Sequence, residues 1–466
     1  MKMRTEQKTA VKNSIGRLVF VALSVLLQVI WICVQAMKLN RYSTWISVAT
    51  SVLTLVVVIL LYGRRTNAAF KMPWIILILA FPVLGLGMYL LFGRKEATQL
   101  VRERFERIDQ SLDGLLIQDK AVRIKLQQTD RMAANEAEYI WNYAKYPIYQ
   151  NTDVVFYKEA SEGIEAQKQA LNQAKHFIFM EYHAIEDKQS FGELKEILAR
   201  KAKEGVEVRL FYDDIGSIGF INTDFIQRME AEGIQCRVFN RLMPVLNVFM
   251  NNRDHRKITV IDGKIGFTGG YNLADEYFNI THPYGYWKDT GVRLEGDAVR
   301  SLTVMFLEMW NAIKGTDTDY TPYFLQDGAQ PHEAGLAGSV GVTQSDANIA
   351  ADSASGFVQP YADSPLDGEP VGENVYMGVV KAASEYVYFT TPYLIISDEM
   401  SRELCLAAKR GVDVRIVTPG IPDKKLVYRV TRSYYAQLAS AGVRIFEYTP
   451  GFLHAKQCVS DDVTAT

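Results

Sequence analysis

Cysteine is scarce in this sequence, and the few cysteines form no pattern. Cys33, Cys236, Cys405 and Cys458 contain no CxxC pair and no metal-like spacing among 466 residues. Their spacing argues against a disulfide scaffold and against a zinc site. An excess of one charge is also missing, because 51 basic and 53 acidic residues give a formal net charge of −2. This balance argues against a strongly basic nucleic-acid-binding protein.

Apolar residues, by contrast, are abundant and unevenly distributed. They make up 48% of the chain, enough to build the cores of two or three domains. Residues 1–109 contain 15 Lys and Arg against 5 Asp and Glu, a net charge of +10, so the remainder carries −12. A basic apolar head joined to an acidic body predicts a membrane anchor that carries a cytoplasmic domain.

Three hydrophobic runs lie in the head, at residues 18–37, 45–62 and 73–92. Each is close to the roughly 20 residues that a helix needs to cross a bilayer, so two or three transmembrane helices are predicted in a multi-pass membrane protein. Pro82, Gly85 and Gly87 leave open a bent or re-entrant third segment. The dense Lys and Arg after residue 92 place the body on the cytoplasmic side, and the side of the amino terminus stays open.

A duplicated pattern follows in the body. KEGVEVR at 203–209 returns as KRGVDVR at 409–415, each after an apolar, β-rich run. Around both copies the pattern alternates between strand and helix, which predicts an α/β fold with a largely parallel sheet. A stretch rich in Gly, Ala, Ser, Asp and Gln separates the copies and predicts a flexible linker. The predicted division is a membrane anchor at 1–94, a helical connector at 95–145, a first repeat at 146–325, the linker at 326–356 and a second repeat at 357–466.

Each repeat contains the motif H-x-K-x4-D. The two copies are His255, Lys257 and Asp262 in the first repeat and His454, Lys456 and Asp461 in the second. Residues two apart on a strand share one face, so each His lies beside a Lys. Two such pairs that meet across a pseudo-twofold axis predict one phosphodiester site. The lysines neutralise the phosphoryl oxygens, one His attacks phosphorus, and the other protonates the leaving alkoxide. This scheme requires no metal and no cofactor.

Residues after the first motif supply further candidates. As members of the motif, Asp262 and Asp461 are counted with the catalytic residues. Asp262-Gly263 is also a hairpin-turn pair, which favours a role in the turn for Asp262. Gly269, Gly270 and Asn272 come next, and small residues followed by an amide would let a phosphate approach and bind. We interpret Asp213-Asp214 as a turn and helix cap, and Cys458 as a buried small residue.

Other polar residues fit no spacing of their own. Glu181 ends the apolar run of the first repeat and is kept as a candidate that faces the site. The remaining histidines are interpreted as structural or exposed, and they are His176, His183, His282 and His332.

The paired motif resembles that of the phospholipase D superfamily. Further segments make the similarity more specific, to bacterial cardiolipin synthases. These segments are 74–94 with FPVLG at 81–85, YPIYQNT at 146–152, YDDIGS at 212–217, WKDT at 287–290, YADSPLD at 361–367, TPY at 391–393 and FLHAK at 452–456. The resemblance covers residues 45–466 apart from the linker. It implies two phospholipase D-like α/β repeats that form one active site.

The same resemblance implies an activity and roles for individual residues. The family joins two phosphatidylglycerol molecules into cardiolipin and releases glycerol, so phosphatidylglycerol, other anionic phospholipids and the cell membrane are the implied partners, with no nucleic acid. His255 is the implied nucleophile and His454 the implied acid. Asp289, in the WKDT segment, is either a residue that orients the imidazole of His255 or a surface turn residue. Hydrolysis of phospholipids, or transfer to another alcohol, is the alternative within enzymes.

The second copy departs from the first at its end. Gly269 and Asn272 follow Asp262 by seven and ten residues, but the corresponding positions after Asp461 fall beyond Thr466. Either the chain is incomplete or the second half-site is damaged. A damaged half-site would leave a non-catalytic membrane protein that binds anionic lipid, which is the alternative outside enzymes.

Overall fold

The computed structural model describes residues 22–33, 43–64, 68–93, 99–222, 224–241, 252–324, 356–364, 366 and 368–466. The chain divides into two compact units. One unit comprises Met1–Arg104 with Asn240–Asn252, and the other comprises Phe105–Phe239 with Arg253–Thr466. The predicted linker lies outside the described residues, except for its last residue, Gly356.

The amino-terminal unit is helical where it is described. Its helices are α1 (22–33), α2 (Ser43–Tyr62), α3 (Ala68–Ala80) and α4 (Pro82–Phe92). The third hydrophobic run bends at Phe81, because Pro82 has no amide hydrogen to continue α3 and instead begins α4. Among the described residues, no helix is both long enough and apolar enough for a bilayer crossing. The prediction of transmembrane helices is therefore not supported by the structure.

Three helices precede the first repeat, namely α5 (Gln99–Leu112), α6 (Lys120–Thr129) and α7 (Arg131–Ala144). Asp119 and Asp130 cap the amino termini of α6 and α7, where their carboxylates accept backbone N–H bonds. Ile140 of α7 packs in one apolar cluster with Val371 and Val375 of the second repeat. Helix α7 is thus part of the core of the larger unit.

The first repeat is a seven-stranded mixed sheet with helices on both faces. Its elements are β1 (Thr152–Tyr157), α8 (Ala160–Asn172), β2 (Phe177–Tyr182), α9 (Gln189–Lys203), β3 (Glu207–Asp213), α10 (Asp214–Ser217), α11 (Phe225–Ala231), β4 (Gln235–Phe239), β5 (Lys257–Ile261), β6 (Ile265–Gly269), β7 (Tyr286–Lys288), β8 (Gly291–Gly296) and α12 (Val299–Ile313). The strand order is β1-β8-β6-β5-β2-β3-β4, and β7 lies outside this sheet. Apolar clusters fill both faces, one against α8, α9 and α11 and the other against α12.

The second repeat forms a smaller, five-stranded sheet. Its elements are α13 (Val371–Ala382), β9 (Tyr386–Thr390), α14 (Asp398–Lys409), β10 (Asp413–Pro419), α15 (Lys425–Ser433), α16 (Tyr435–Ser440), β11 (Arg444–Tyr448), β12 (Gly451–Leu453), β13 (Gln457–Ser460) and β14 (Thr464–Ala465). The order β11-β10-β9-β13-β14 repeats the order β4-β3-β2-β5-β6 of the first sheet. The predicted α/β duplication is therefore confirmed.

The repeated heptapeptide occupies the same place in both copies. It spans the end of a helix and the start of a strand, and its glycines, Gly205 and Gly411, have φ values of +93° and +98°. Such values suit glycine, because it has no Cβ to clash in left-handed backbone. Val208 and Val414 then point into the two cores. The segment forms the same helix end and the same strand start in both cores, which explains why its sequence is so similar in the two repeats.

The prediction of a largely parallel sheet is wrong. Within the two larger sheets, as far as the structure describes them, the parallel pairs are β2–β3 and β3–β4 in the first and β9–β10 and β10–β11 in the second. The motif strands β5 and β13 lie antiparallel to β2 and β9. Each is followed by a tight hairpin to β6 or β14, and a tight hairpin connects antiparallel strands only.

A short parallel ladder joins the two repeats. Strand β7 of the first repeat pairs with β12 of the second, in the register Tyr286 with Gly451 and Lys288 with Leu453. The rings of Trp287 and Phe452 lie 4.7 Å apart across this ladder. Both strands lead directly into candidate site residues, so the ladder fixes the position of one half-site against the other.

Candidate active site

The first His–Lys pair lies where the chain enters β5. Lys257 is the first residue of the strand, and its side chain is buried. Its Nζ donates a hydrogen bond to the carbonyl oxygen of His255 at 2.6 Å and lies 3.5 Å from His255 Nδ1. The lysine therefore holds the backbone turn that presents the imidazole of His255, which is an exposed residue.

The second pair has the same local arrangement. Lys456 Nζ donates to the carbonyl oxygen of His454 at 2.6 Å, as in the first pair. The imidazole of His454 is buried among the rings of Tyr277, Trp287 and Phe452. Its backbone N–H donates to the carbonyl oxygen of Lys288, at the end of the ladder between the repeats. The second imidazole is thus fixed by contacts from both repeats.

The two pairs form one cationic site. Desolvation lowers the pKa of Lys257 to about 7, and the nearby charge of Lys456 contributes to that shift. Desolvation likewise lowers the pKa of Lys456 to about 8. Partial desolvation in the cleft lowers the pKa of His255, with further contributions from Lys257 and from the second pair. Because these cations repel one another at short range, a bound anion would stabilise the arrangement.

Asp289 contacts His454 and not His255, the histidine we predicted. Its Oδ2 lies 2.7 Å from Nδ1 of His454, whereas the expectation was an interaction with His255. The reason is the ladder between β7 and β12, which brings the segment after Lys288 beside His454. Burial alone would raise the pKa of Asp289, but the charge and hydrogen bond of His454 outweigh it and lower that pKa. An ionised Asp289 accepts a hydrogen bond from Nδ1–H, so the other ring nitrogen, Nε2, lies away from the carboxylate and 3.0 Å from Lys456 Nζ.

Gly270 and Asn272, which we predicted to bind a phosphate, contact other residues of the protein. A Cβ atom added to Gly270 would lie 1.9 Å from Oδ1 of Asp289, so the glycine gives room to that carboxylate. The buried amide of Asn272 accepts from the N–H of Ala184 and donates to the hydroxyl of Tyr277. Both residues therefore support the Asp289–His454 pair.

Replacing Gly270 with Ala should displace Asp289. We expect at least a tenfold loss of turnover and a fall of about 1–3 kcal/mol in the free energy of unfolding, because the added methyl group overpacks the site. Gly192→Ala is the matched control, since its Cβ would meet nothing within 4 Å and helix propensity favours Ala. Turnover and thermal unfolding of both variants test this. Full activity in Gly270→Ala would show that the close approach is unimportant.

The aspartates of the two motifs lie away from the histidines, at the opposite ends of β5 and β13. Asp262 accepts hydrogen bonds from the backbone N–H groups of Lys175, His176 and Phe177 at 2.8–2.9 Å. Asp461 accepts in the same way from the N–H groups of Ser384, Glu385 and Tyr386, at the start of β9. The catalytic assignment of Asp262 and Asp461 is therefore corrected to a structural one, in which each carboxylate ties a hairpin turn to the start of the neighbouring strand.

Replacing Asp262 with Ala should lower stability more than it lowers the intrinsic chemistry. The loss of three hydrogen bonds to a carboxylate should cost about 2–3 kcal/mol. Asp153→Ala, at an exposed position of β1, provides a matched control. Thermal unfolding and turnover per folded molecule are the measurements. A thousandfold loss of turnover in a protein of unchanged stability would return Asp262 to the catalytic groups.

Sequence reasoning missed His183 as a member of the site. Its ring centroid lies 4.7 Å from that of His255, and its Nδ1 is 2.7 Å from the carbonyl oxygen of Asp254. One signal could have found it, because His183 directly follows Tyr182, which pairs with Lys257 across β2 and β5. The histidines His176 and His282 are exposed, and His332 lies outside the described residues.

Glu181, which the sequence left as a candidate, does not face the site. It is fully buried, and its Oε1 accepts a hydrogen bond from Nε of Arg256 at 2.7 Å. Asp213 caps α10 as predicted, and Cys458 is buried as predicted. Among the described residues, no group of three or more His, Cys, Asp and Glu side chains is arranged to hold a metal ion.

Comparison with known proteins identifies the family of this chain. Residues 168–310 and 376–466 match the family described as cardiolipin synthase, PLD-like domain, and residues 50–94 match the phospholipase D-nuclease N-terminal family. A cardiolipin synthase of Halalkalibacterium halodurans is 32% identical over 91% of this chain and 81% of its own length. An uncharacterized protein of Streptococcus mutans is 39% identical over 88% of this chain and 84% of its own length.

Among solved structures, a phosphatidylserine synthase of Haemophilus influenzae is 14% identical, with a TM-score of 0.45, over 70% of this chain and 81% of that one. The two segments that match the cardiolipin synthase family contain both H-x-K motifs, and the Halalkalibacterium relative is matched over four fifths of its length. The chain therefore belongs to the cardiolipin synthase family with phospholipase D-like domains.

Proposed function

We propose that this protein is a phosphatidyltransferase of the cardiolipin synthase type. It transfers the phosphatidyl group of one phosphatidylglycerol to a second phosphatidylglycerol and releases glycerol. The observation that carries the proposal is the meeting of two His–Lys pairs, one from each repeat, in a single cationic site. Such a site suits a phosphodiester, since its two lysines neutralise the charge that develops on the phosphoryl oxygens.

The reaction proceeds in two displacements. A ring nitrogen of His255 attacks phosphorus, the P–O bond to the glycerol head group breaks, and His454 gives its proton to the leaving oxygen. The product is a phosphatidyl-histidine and free glycerol. A hydroxyl group of the second phosphatidylglycerol then attacks phosphorus and returns a proton to His454. The P–N bond breaks, and His255 is restored.

The assignment of the two histidines follows from their surroundings. Desolvation and neighbouring lysines lower the pKa of both rings, but the carboxylate of Asp289 raises that of His454, which settles at about 4. His454 is therefore the more basic of the two rings. The negative charge of a bound phosphodiester would raise its pKa further, so we assign to His454 the proton that the leaving group needs. His255 has no such carboxylate among the contacts described for it, and it stays neutral and available to attack.

We propose further that the protein works at the cell membrane, with phosphatidylglycerol and other anionic phospholipids as its ligands. The helices of the amino-terminal unit expose large apolar side chains, among them Leu53, Leu60 and Ile76. Exposed apolar surface of this kind marks an interaction with membrane or protein. Several crossings, with the catalytic unit on the cytoplasmic side, stay a prediction from the hydrophobic runs and the distribution of Lys and Arg.

Product analysis tests the proposed function. Membranes that contain the 466-residue chain are supplied with phosphatidylglycerol labelled in its terminal glycerol. We expect labelled cardiolipin together with free labelled glycerol. Phosphatidic acid with labelled glycerol would instead establish a hydrolase, and another phosphatidyl ester formed from an added alcohol would establish a different acceptor. Absence of turnover would favour the non-catalytic, lipid-binding alternative.

A further inference from the structure

Helix α15 exposes apolar side chains to solvent. Leu426 is 74% exposed and Val430 is 39% exposed. These two residues are four apart, so they lie above one another on one face of the helix. On the opposite face, Thr431 is buried and its hydroxyl accepts a hydrogen bond from the N–H of Leu394. The helix is therefore attached to the second repeat by one face and presents the other outward.

Basic residues flank this exposed face. Lys425 and Arg429 are both exposed and are also four apart. Within the described residues, neither forms a salt bridge, in contrast to Lys424 and Arg432, which lie within 4 Å of Asp423 and Glu447. Two apolar side chains beside two unpaired cations form the pattern of a helix that lies in the interface of an anionic bilayer.

The exposed face begins at the edge of the active site. Lys424 Nζ donates to the hydroxyl of Tyr393 at 3.0 Å. Burial lowers the pKa of Lys456, and the charge of Lys424 is close enough to lower it further. Ile421 is also exposed, and its N–H donates to the carbonyl oxygen of Gly451, in the ladder strand that leads to His454.

We propose that α15 is an interfacial docking helix for a bilayer of anionic phospholipid. Leu426 and Val430 insert between the lipid head groups, and Lys425 and Arg429 contact the lipid phosphates. The second half-site then faces the level of the bilayer at which a substrate phosphodiester lies. The last step rests on the proposed function, because it identifies the substrate as a lipid of that bilayer.

A comparison of bilayer and monomeric substrate tests the docking. The full chain is assayed with phosphatidylglycerol vesicles and with a short-chain, water-soluble phosphatidylglycerol. Two double variants are compared with the wild type, Leu426→Asp with Val430→Asp and Lys425→Glu with Arg429→Glu. Each should lose at least tenfold in activity on vesicles. For the charge reversal this follows because each cation near an anionic surface contributes about fivefold in binding. Activity on the soluble substrate should be unchanged. The effect of the charge reversal should shrink at high ionic strength.

Matched controls lie on α14 of the same repeat. Leu406 and Lys409 are exposed there, so Leu406→Asp and Lys409→Glu change the same residue types away from α15. Equal losses on both substrates would overturn the proposal, because α15 would then act on the site and not on the bilayer. Unchanged activity of the α15 variants on vesicles would overturn it as well. An inactive wild-type chain on both substrates would count against the proposed function alone.

A second measurement does not depend on turnover. Leu426→Cys is labelled with an environment-sensitive bimane in a chain that carries Cys33→Ser and Cys405→Ser. Burial raises the pKa of the two remaining thiols, Cys236 and Cys458, so they react poorly. With the full chain in lipid nanodiscs, the emission should shift to the blue in phosphatidylglycerol but not in phosphatidylcholine. No shift in either lipid would overturn the docking, and so would a shift in detergent that grows with protein concentration, which would indicate a second copy.

Discussion

Replacement of His255 with Ala is expected to reduce phosphatidyl transfer by about 10⁴-fold or more, as is typical when a catalytic nucleophile is removed. In the proposed mechanism this side chain supplies the atom that bonds to phosphorus. Formation of cardiolipin from labelled phosphatidylglycerol is the measurement. His282→Ala, at an exposed position, is the matched control.

An activated substrate separates the nucleophile from the acid. A phosphatidyl ester of p-nitrophenol has a leaving group that needs no proton. With this ester, His454→Ala should recover a burst of nitrophenolate, whereas His255→Ala should give none. The opposite pattern would exchange the two roles. Activity of His255→Ala within tenfold of the wild type would remove His255 from the mechanism.

Replacement of Asp289 with Asn is expected to reduce turnover by about 10²–10⁴-fold with little change in KM, because loss of the carboxylate that orients a catalytic histidine has effects of this size. Asn is nearly the same size as Asp and fits the cavity beside Gly270, so the fold should persist. What changes is the charge beside Nδ1 of His454, at 2.7 Å in the native protein.

The Asp289→Asn variant should also shift the pH dependence of activity, and the direction of that shift can be derived. The Asp289 carboxylate raises the pKa of His454, so its replacement by a neutral amide lowers that pKa. At any given pH a smaller fraction of His454 is then protonated, and the alkaline limb of the kcat/KM profile moves to lower pH. Glu295→Gln, on the neighbouring strand β8, should leave the profile unchanged. An Asp289→Asn profile that matches the wild type would show that Asp289 does not act through His454.

The features that the sequence predicted correctly are local or repeated. The heptapeptides at 203–209 and 409–415 mark one helix end and one strand start, which depend on neighbouring residues alone. The H-x-K spacing places a lysine beside each histidine within a few residues of chain. Duplication then brings the two pairs into one site, because two copies of one fold can face each other across an approximate twofold axis.

The features that the sequence did not predict depend on contacts between distant segments. Nothing near Asp289 indicates that its partner is His454, 165 residues away, because the pairing of β7 with β12 creates that contact. The roles of Gly270 and Asn272 were also misassigned, since a small residue beside a motif looks the same whether a phosphate or a protein carboxylate approaches it. The antiparallel placement of β5 likewise depends on sheet assembly.

The sequence by itself therefore determined the duplicated α/β plan, the family, and the local pairing of His255 with Lys257 and of His454 with Lys456, because all of these follow from short-range spacing and its repetition. The tertiary structure alone decided which histidine is paired with a carboxylate, where the motif aspartates act and which helix presents an unpaired apolar and basic face. These depend on strand order and on the ladder between repeats, which are set when segments far apart in the chain bury their apolar faces together.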